Sequence, residues 1–204
     1  MNKTMTVAIT GRIGAGKSAV ANIFKDLGVP IYEIDATCKR LVSESVRLRS
    51  EIINVFGIKS FFVNGDYNTK YILSIIQNDI EKKKELEAIM TKHIIPDFAN
   101  WKDSFKLYPI IMLESAYLFE TGSENMADVI IGVDCNLTEN IERIKKRDNC
   151  STTQALKKIE MQMPQKDKMS LCDFVIHTDR NDINEQVIHF FELLTRISTY
   201  QNSI

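Results

Sequence analysis

Gly11-Arg12-Ile13-Gly14-Ala15-Gly16-Lys17-Ser18 fits the pattern G-x-x-x-x-G-K-[ST], the signature of a loop that wraps phosphate groups. Its surroundings fit as well. Thr6-Val7-Ala8-Ile9-Thr10 ahead of it is β-branched and apolar, as a buried strand should be. Ser18 to Phe24 behind it reads as a helix carrying Val20, Ile23 and Phe24 on one face. The glycines let successive N–H groups point into one concavity. The helix start adds unpaired N–H groups and the positive end of its dipole. A nucleoside triphosphate such as ATP is therefore expected along Gly11, Ile13, Gly14, Ala15, Gly16, Lys17, Ser18 and Ala19. Lys17 would reach the β- and γ-phosphates, and Ser18 would offer its hydroxyl to Mg²⁺, directly or through water.

The 204 residues suit one α/β domain with a small helical insertion. Hydrophobic content of 44% and charged content of 26% match a globular protein. A net charge of −1 offers no general attraction to nucleic acid or an anionic membrane, so neither is expected as a partner. No apolar run approaches the ~20 residues that span a bilayer. Met1-Asn2-Lys3-Thr4-Met5 runs directly into the first strand and leaves no room for a signal peptide, so a cytoplasmic setting is expected. Cys38, Cys135, Cys150 and Cys172 are widely spaced and form no C-x-x-C pair, which points to reduced thiols rather than zinc ligands or disulfides.

Further along, Leu27-Gly28-Val29-Pro30 stops the first helix, and Ile31 to Ile34 reads as a second strand ending at Asp35. In doubly wound sheets ligands bind outside the carboxyl ends of strands. Asp35 would thus be either a catalytic carboxylate or the N-cap of a helix beginning at Ala36, and the two roles are compatible. Residues 36 to about 106 read as mostly helical, with candidates at Val46–Phe56, Lys70–Gln77 and Glu81 to about Ile95 and a turn at Phe61–Asp66. A block this long exceeds an ordinary crossover and suggests an acceptor-covering insertion. Pro109 to Glu114 reads as a central strand, Val129 to Asp134 as the fourth and Val175-Ile176 as a short fifth, with a last helix at about Asp182 to Ile197. Either Glu114 or Glu120 could assist the metal.

Between the last two strands, Arg143 and Arg147 lie four apart and share a face of a strongly basic helix. Arginines closing over a transferring phosphoryl group would stabilise its charge, and residues 140 to 170 read as a mobile lid. A merely solvated helix face is the plainer alternative. The Asn-Lys-x-Asp and Asp-x-x-Gly patterns of a GTPase switch do not occur in the chain. The pattern favours a kinase acting on a small metabolite.

These motifs resemble those of the dephospho-coenzyme A kinases. Ile9 to Ala21 is similar to that family's opening T-G-G-I-G-S-G-K-S/T-x-V-A, and Asp35 matches the second acid of its D-A-D motif. Leu118-Phe119-Glu120-Thr121-Gly122, the lid helix Arg143–Asp148, Gln162 with Lys168, and Asp173-Phe174-Val175-Ile176 continue the likeness over nearly the whole chain. Arg12, Glu33, Thr91-Lys92, Ala116 and Thr178 depart from it. The resemblance implies a three-layer α/β fold of the P-loop kinase type, a parallel five-stranded sheet flanked by helices with a helical insertion and a lid. It implies transfer of the ATP γ-phosphoryl group, with Mg²⁺, to the ribose 3′-hydroxyl of dephospho-coenzyme A by a monomer or small homo-oligomer. Asp35, Lys17, Arg143 and Arg147 would be catalytic, Arg147 would also bind ATP, and Asp35, Leu118 and Glu120 would contact the acceptor.

Overall fold

A computed structural model describes residues 4–201; residues 1–3, part of the stretch read above as excluding a leader, lie outside them. Five strands form one parallel sheet: β1 (Met5–Thr10), β2 (Ile31–Glu33), β3 (Ile110–Glu114), β4 (Val129–Asp134) and β5 (Phe174–His177). Their spatial order is β2-β3-β1-β4-β5. β1 is central, with Met5 opposite Ile110 and Ile9 opposite Glu114 on one side, and Val7 opposite Val129 on the other. Strands buried on both faces read as unbroken apolar runs, which is why β1, β3 and β4 were visible in the sequence.

Alternation assigns the two faces. Met5, Val7 and Ile9 join Met112, Ile131 and Val133 in a core closed by Val20 and Phe24 of α1 (Lys17–Asp26) and by Val187 and Leu194 of α2 (Ile183–Gln201). On the opposite face a Cβ at Gly132 would lie 2.7 Å from Met169 Sδ, so the short helix α3 (Gln165–Ser170) packs directly on β4. Two aspartates fix where strands start. Asp128 accepts from Thr6 N–H, and Asp173 accepts from Ile130 N–H, both at 2.8 Å. Each satisfies an N–H that the parallel ladder leaves open at the sheet margin.

The chain divides into two compact units, one built from residues up to Glu33 together with those from Lys102 on, the other from Ile34–Trp101. In the first unit, α4 (Leu137–Asp148) begins at the N-cap Asn136, and α5 (Thr152–Glu160) begins with a capping box between Ser151 and Gln154. The segment expected as a lid, residues 140 to 170, is largely helical. In the second unit, α6 (Ile34–Glu44), α7 (Val46–Phe56), α8 (Thr69–Ile76) and the first part of α9 (Ile80–Ser104) enclose a separate core of Val42, Leu48, Ile52, Phe56, Phe61 and Ile72.

Two of the boundaries that differ from expectation have a clear physical cause. β2 stops at Glu33, and Ile34 already belongs to α6, because it shares the buried helix face with Thr37. Asp35 therefore lies in the first turn of the helix rather than at its cap. The other is α9, which does not end near Ile95 but runs through Pro96 to Ser104. The proline removes one N–H, but the buried Ile94 and Phe98 anchor the helix on either side of it.

Candidate active site

The loop leaves β1 at Gly11, where a Cβ would stand 2.3 Å from the Val133 carbonyl oxygen. Only a glycine lets the two backbones pass this closely. At its other end Gly16 takes the left-handed conformation (φ 99°) as N-cap of α1 and supplies no side-chain cap. The first turn of α1 also carries no acidic residue. An uncapped helix start of this kind leaves its N–H groups and dipole for an anion.

The two halves of the loop are used differently. In the first half, Arg12 N–H donates to Gln165 Oε1 at 3.0 Å and Ile13 N–H donates to Gln162 Oε1 at 2.7 Å. The Ile13 carbonyl accepts from the buried Asn140 at 2.6 Å. Ile13, expected to bind ATP, thus has both backbone groups bonded to protein. The second half opens on a cavity of about 190 Å³ walled by Gly14, Gly16 and residues 17–19 on one side and by Arg143 and Arg147 on the other. Ala15 is wholly buried beneath it.

Lys17 is buried, and its Nζ donates to the Arg12 carbonyl at 3.3 Å. The Ser18 hydroxyl donates to Glu114 Oε1 at 3.2 Å. This pair puts Glu114, the last residue of β3, beside the loop. Glu33 stands in register with Glu114 across the β2–β3 pair, on the same rim. Ser18 and Glu114 present hard oxygen donors of the kind that hold Mg²⁺ together with phosphate oxygens.

Glu120 is placed elsewhere. Its carboxylate accepts from Lys168 Nζ at 2.9 Å and from Met163 N–H at 2.8 Å, and Lys168 is completely buried. The acceptor contact expected at Glu120 would have to form with this pair kept intact, since breaking it would strand a buried ammonium. Leu118, likewise expected at the acceptor, is fully buried.

Arg143 braces the loop. It donates to the Ala15 carbonyl at 3.2 Å, to Thr178 Oγ1 at 2.8 Å and to the Thr178 carbonyl at 2.9 Å, and it pairs with Glu139. Arg147 is more exposed and chelates Asp148 at 2.7 and 3.1 Å. Hydrogen bonds from Arg147 and then Lys158 hold the Asp148 carboxyl well below the usual carboxylate range. Among the departures from the family pattern, Arg12 and Thr178 make side-chain contacts around the loop, Thr178 Oγ1 accepting from Arg143 at 2.8 Å. Arg12 donates to the Cys135 carbonyl at 2.8 Å, and the Ala116 carbonyl accepts from both Gln162 and Lys168.

In the helical unit, Asp35 lies on the wall of a second cavity of about 800 Å³. Val42, Leu86 and Met90 form an apolar side, while Lys39 and Arg49 add positive charge. Arg49 lies 4.3 Å from the centre of the Phe61 ring and donates to the Gly65 carbonyl. Burial, and secondarily the charge of Asp35, pushes the Cys38 thiol up to about 12, so it stays protonated and unreactive near neutrality.

Sequence reasoning missed Gln165, Asn140 and the Arg49 wall. Asn140 sits unmarked within a charged helix and Gln165 within a polar run, and neither carried a local signal. Gln162 was visible as part of a motif, but not its contact with the loop.

Comparison with known proteins bears on the whole chain. The family model described as dephospho-CoA kinase matches residues 5–185. The dephospho-CoA kinase of Bacteroides fragilis is 31% identical over 173 residues, covering 85% of this chain and 84% of that one. A crystal structure of TT1252 from Thermus thermophilus superposes with a TM-score of 0.79 at 25% identity, over 94% of this chain and 97% of that one. Dephospho-CoA kinase from Campylobacter jejuni shares the fold, with a TM-score of 0.64 at 21% identity over 94% and 97% of the two chains. With a parallel five-stranded sheet, a phosphate loop between β1 and α1 and a family match over most of its length, this chain belongs to the dephospho-CoA kinase family.

Proposed function

We propose that the chain transfers the γ-phosphoryl group of ATP to the ribose 3′-hydroxyl of dephospho-coenzyme A, forming coenzyme A and ADP in the last step of coenzyme A biosynthesis. Family membership supports the acceptor. The observation that carries the chemistry is the Ser18–Glu114 pair beside an uncapped helix start faced by two arginines.

The ATP phosphates bind in the smaller cavity, on the N–H groups of Gly14, Gly16, Lys17 and Ser18, since those of Ala15 and Ala19 donate to the Arg12 and Gly16 carbonyls. Ser18, with Glu114 in support, would hold the Mg²⁺ that accompanies ATP, which would supply positive charge against the phosphates. Lys17 gives up the Arg12 carbonyl for the γ-phosphate. Arg147 exchanges Asp148 for phosphate oxygens, while Arg143 keeps the loop in place. The acceptor binds in the larger cavity, and Asp35 orients the 3′-hydroxyl and takes its proton as the oxygen attacks phosphorus. In this reading residues 34–101 are the acceptor-binding insertion of a single functional domain, and α4–α5 form a lid that excludes water. The enzyme works in the cytoplasm as a monomer or small homo-oligomer, on ATP and dephospho-coenzyme A, without nucleic acid or membrane as partner.

A coupled ADP-release assay with dephospho-coenzyme A, nucleoside monophosphates and shikimate side by side tests this. Turnover with dephospho-coenzyme A is expected to exceed the others by at least about a hundredfold in kcat/KM. A preference for any other acceptor overturns the assignment.

A further inference from the structure

The first half of the phosphate loop is held by two side-chain amides, and each amide uses both of its ends. Gln162 accepts from Ile13 N–H at 2.7 Å and donates to the Ala116 carbonyl at 2.8 Å. Gln165 accepts from Arg12 N–H at 3.0 Å and donates to the Val133 carbonyl at 3.1 Å and to Asp134 Oδ1 at 2.9 Å. Two adjacent loop N–H groups are thereby bridged to the chain just beyond β3 and to the carboxyl end of β4. Among common side chains only a primary amide offers an acceptor and a donor at this spacing in one flat group. Gln162 is buried and Gln165 half-buried.

The bridges start from a fixed base. Lys168 donates to the same Ala116 carbonyl at 2.7 Å and pairs with Glu120, which also accepts from Met163 N–H. Residues 162–168 are therefore anchored at five points on the sheet rim and loop: Arg12, Ile13, Ala116, Glu120 and the end of β4. A phosphate concavity works by having its N–H groups already aimed before the anion arrives. Arg12 and Ile13 set the path of the chain into Gly14 to Ala19, the half that faces the cavity.

We propose that Gln162 and Gln165 are positioning residues for nucleotide binding, acting through the backbone of Arg12 and Ile13 and without touching the phosphates. The inference rests on the reading of that loop as the ATP site. It also places the base of any lid movement before Gln162, so that α5 moves while residues 162–168, like Asn140 and Arg143 of α4, stay with the loop and sheet.

The test is direct titration of ATP into the wild type, Gln162→Met, Gln165→Met and the double variant, each checked by circular dichroism and thermal melting. Methionine keeps the length of the side chain and removes both polar ends. Folded single variants are expected to bind ATP about tenfold more weakly, the cost of one or two stranded hydrogen bonds. Their KM for dephospho-coenzyme A and their kcat at saturating ATP should stay within about twofold of wild type, a split that general loosening of the fold would not give. Folded variants with wild-type ATP affinity, or with losses only in kcat, overturn the proposal. Should Gln162→Met fail to fold, the half-buried Gln165→Met decides alone. A wild type that binds no ATP at all removes the reading of the loop itself, and this inference with it.

Discussion

Under the proposed function, the sheet unit and the helical unit 34–101 solve different recognition problems with different materials. The sheet unit presents backbone: an uncapped helix start, a loop with aimed N–H groups, and strand ends fixed by a parallel register. The helical unit presents side chains, brought from α6, α7, the Asn64–Thr69 segment and α9 to the wall of one cavity. Their cores differ in the same sense. The sheet core is built from strands buried on both faces, whereas the helical core is a small cluster around Leu48, Ile52 and Phe56, braced outside by ion pairs such as Arg40–Asp97 at 2.6 Å and Glu51–Lys92 at 2.9 Å. A polyphosphate can be gripped by geometry that a short motif encodes. An acceptor with several chemical parts needs side chains whose proximity only the fold creates.

Three substitutions sharpen or break this contrast. Lys17→Met should have the largest effect, lowering kcat/KM by about 10²- to 10³-fold through loss of a charge aimed at the transferring group. Direct ATP titration should register weaker binding, and near-normal turnover would take Lys17 out of the reaction. Next comes Asp35→Asn, on the other side of the division. It should cut kcat by about a hundredfold, the scale of a lost general base, while ATP affinity stays within about twofold. A variant that loses ATP affinity as well would show that the nucleotide and acceptor roles are not partitioned as described.

The smallest effect concerns the helical unit alone. The Lys92 ammonium, against a penalty from desolvation and helped by His93 and Arg47, holds the Glu51 carboxyl down to about 2. A depressed folded-state value means the contribution is present above the unfolded value near 4.5 and is lost as pH falls toward 2. Melting temperature of the wild type should therefore drop between pH 5 and pH 2.5 by more than that of Glu51→Gln. The pair is solvent-screened, so the difference will be small, and equal slopes for the two proteins would discount it.

How much of this was readable in advance follows the same division. The phosphate loop, β1, β3, β4 and the family likeness stood out because motif, apolar run and turn chemistry agree locally. The start of α6 was misplaced by two residues because Ile34 suits a strand or a helix equally, and only the burial it shares with Thr37 chooses between them. α9 ran past its expected end because tertiary anchoring at Ile94 and Phe98 outweighs a proline. Between Glu114 and Glu120 nothing local could choose. The first lies beside Ser18 and the second beside Lys168, partners 96 and 48 residues away in sequence.

The Lys168–Glu120 pair carries an evolutionary consequence. With the ammonium sealed from water, replacing either member alone leaves a lone charge inside the protein, at a cost of about 3–5 kcal/mol, whereas replacing both with apolar groups of like volume can be nearly neutral. Descendants of this chain should therefore keep both members or shed them together, and a lineage passing through a single replacement would have to cross a fitness valley.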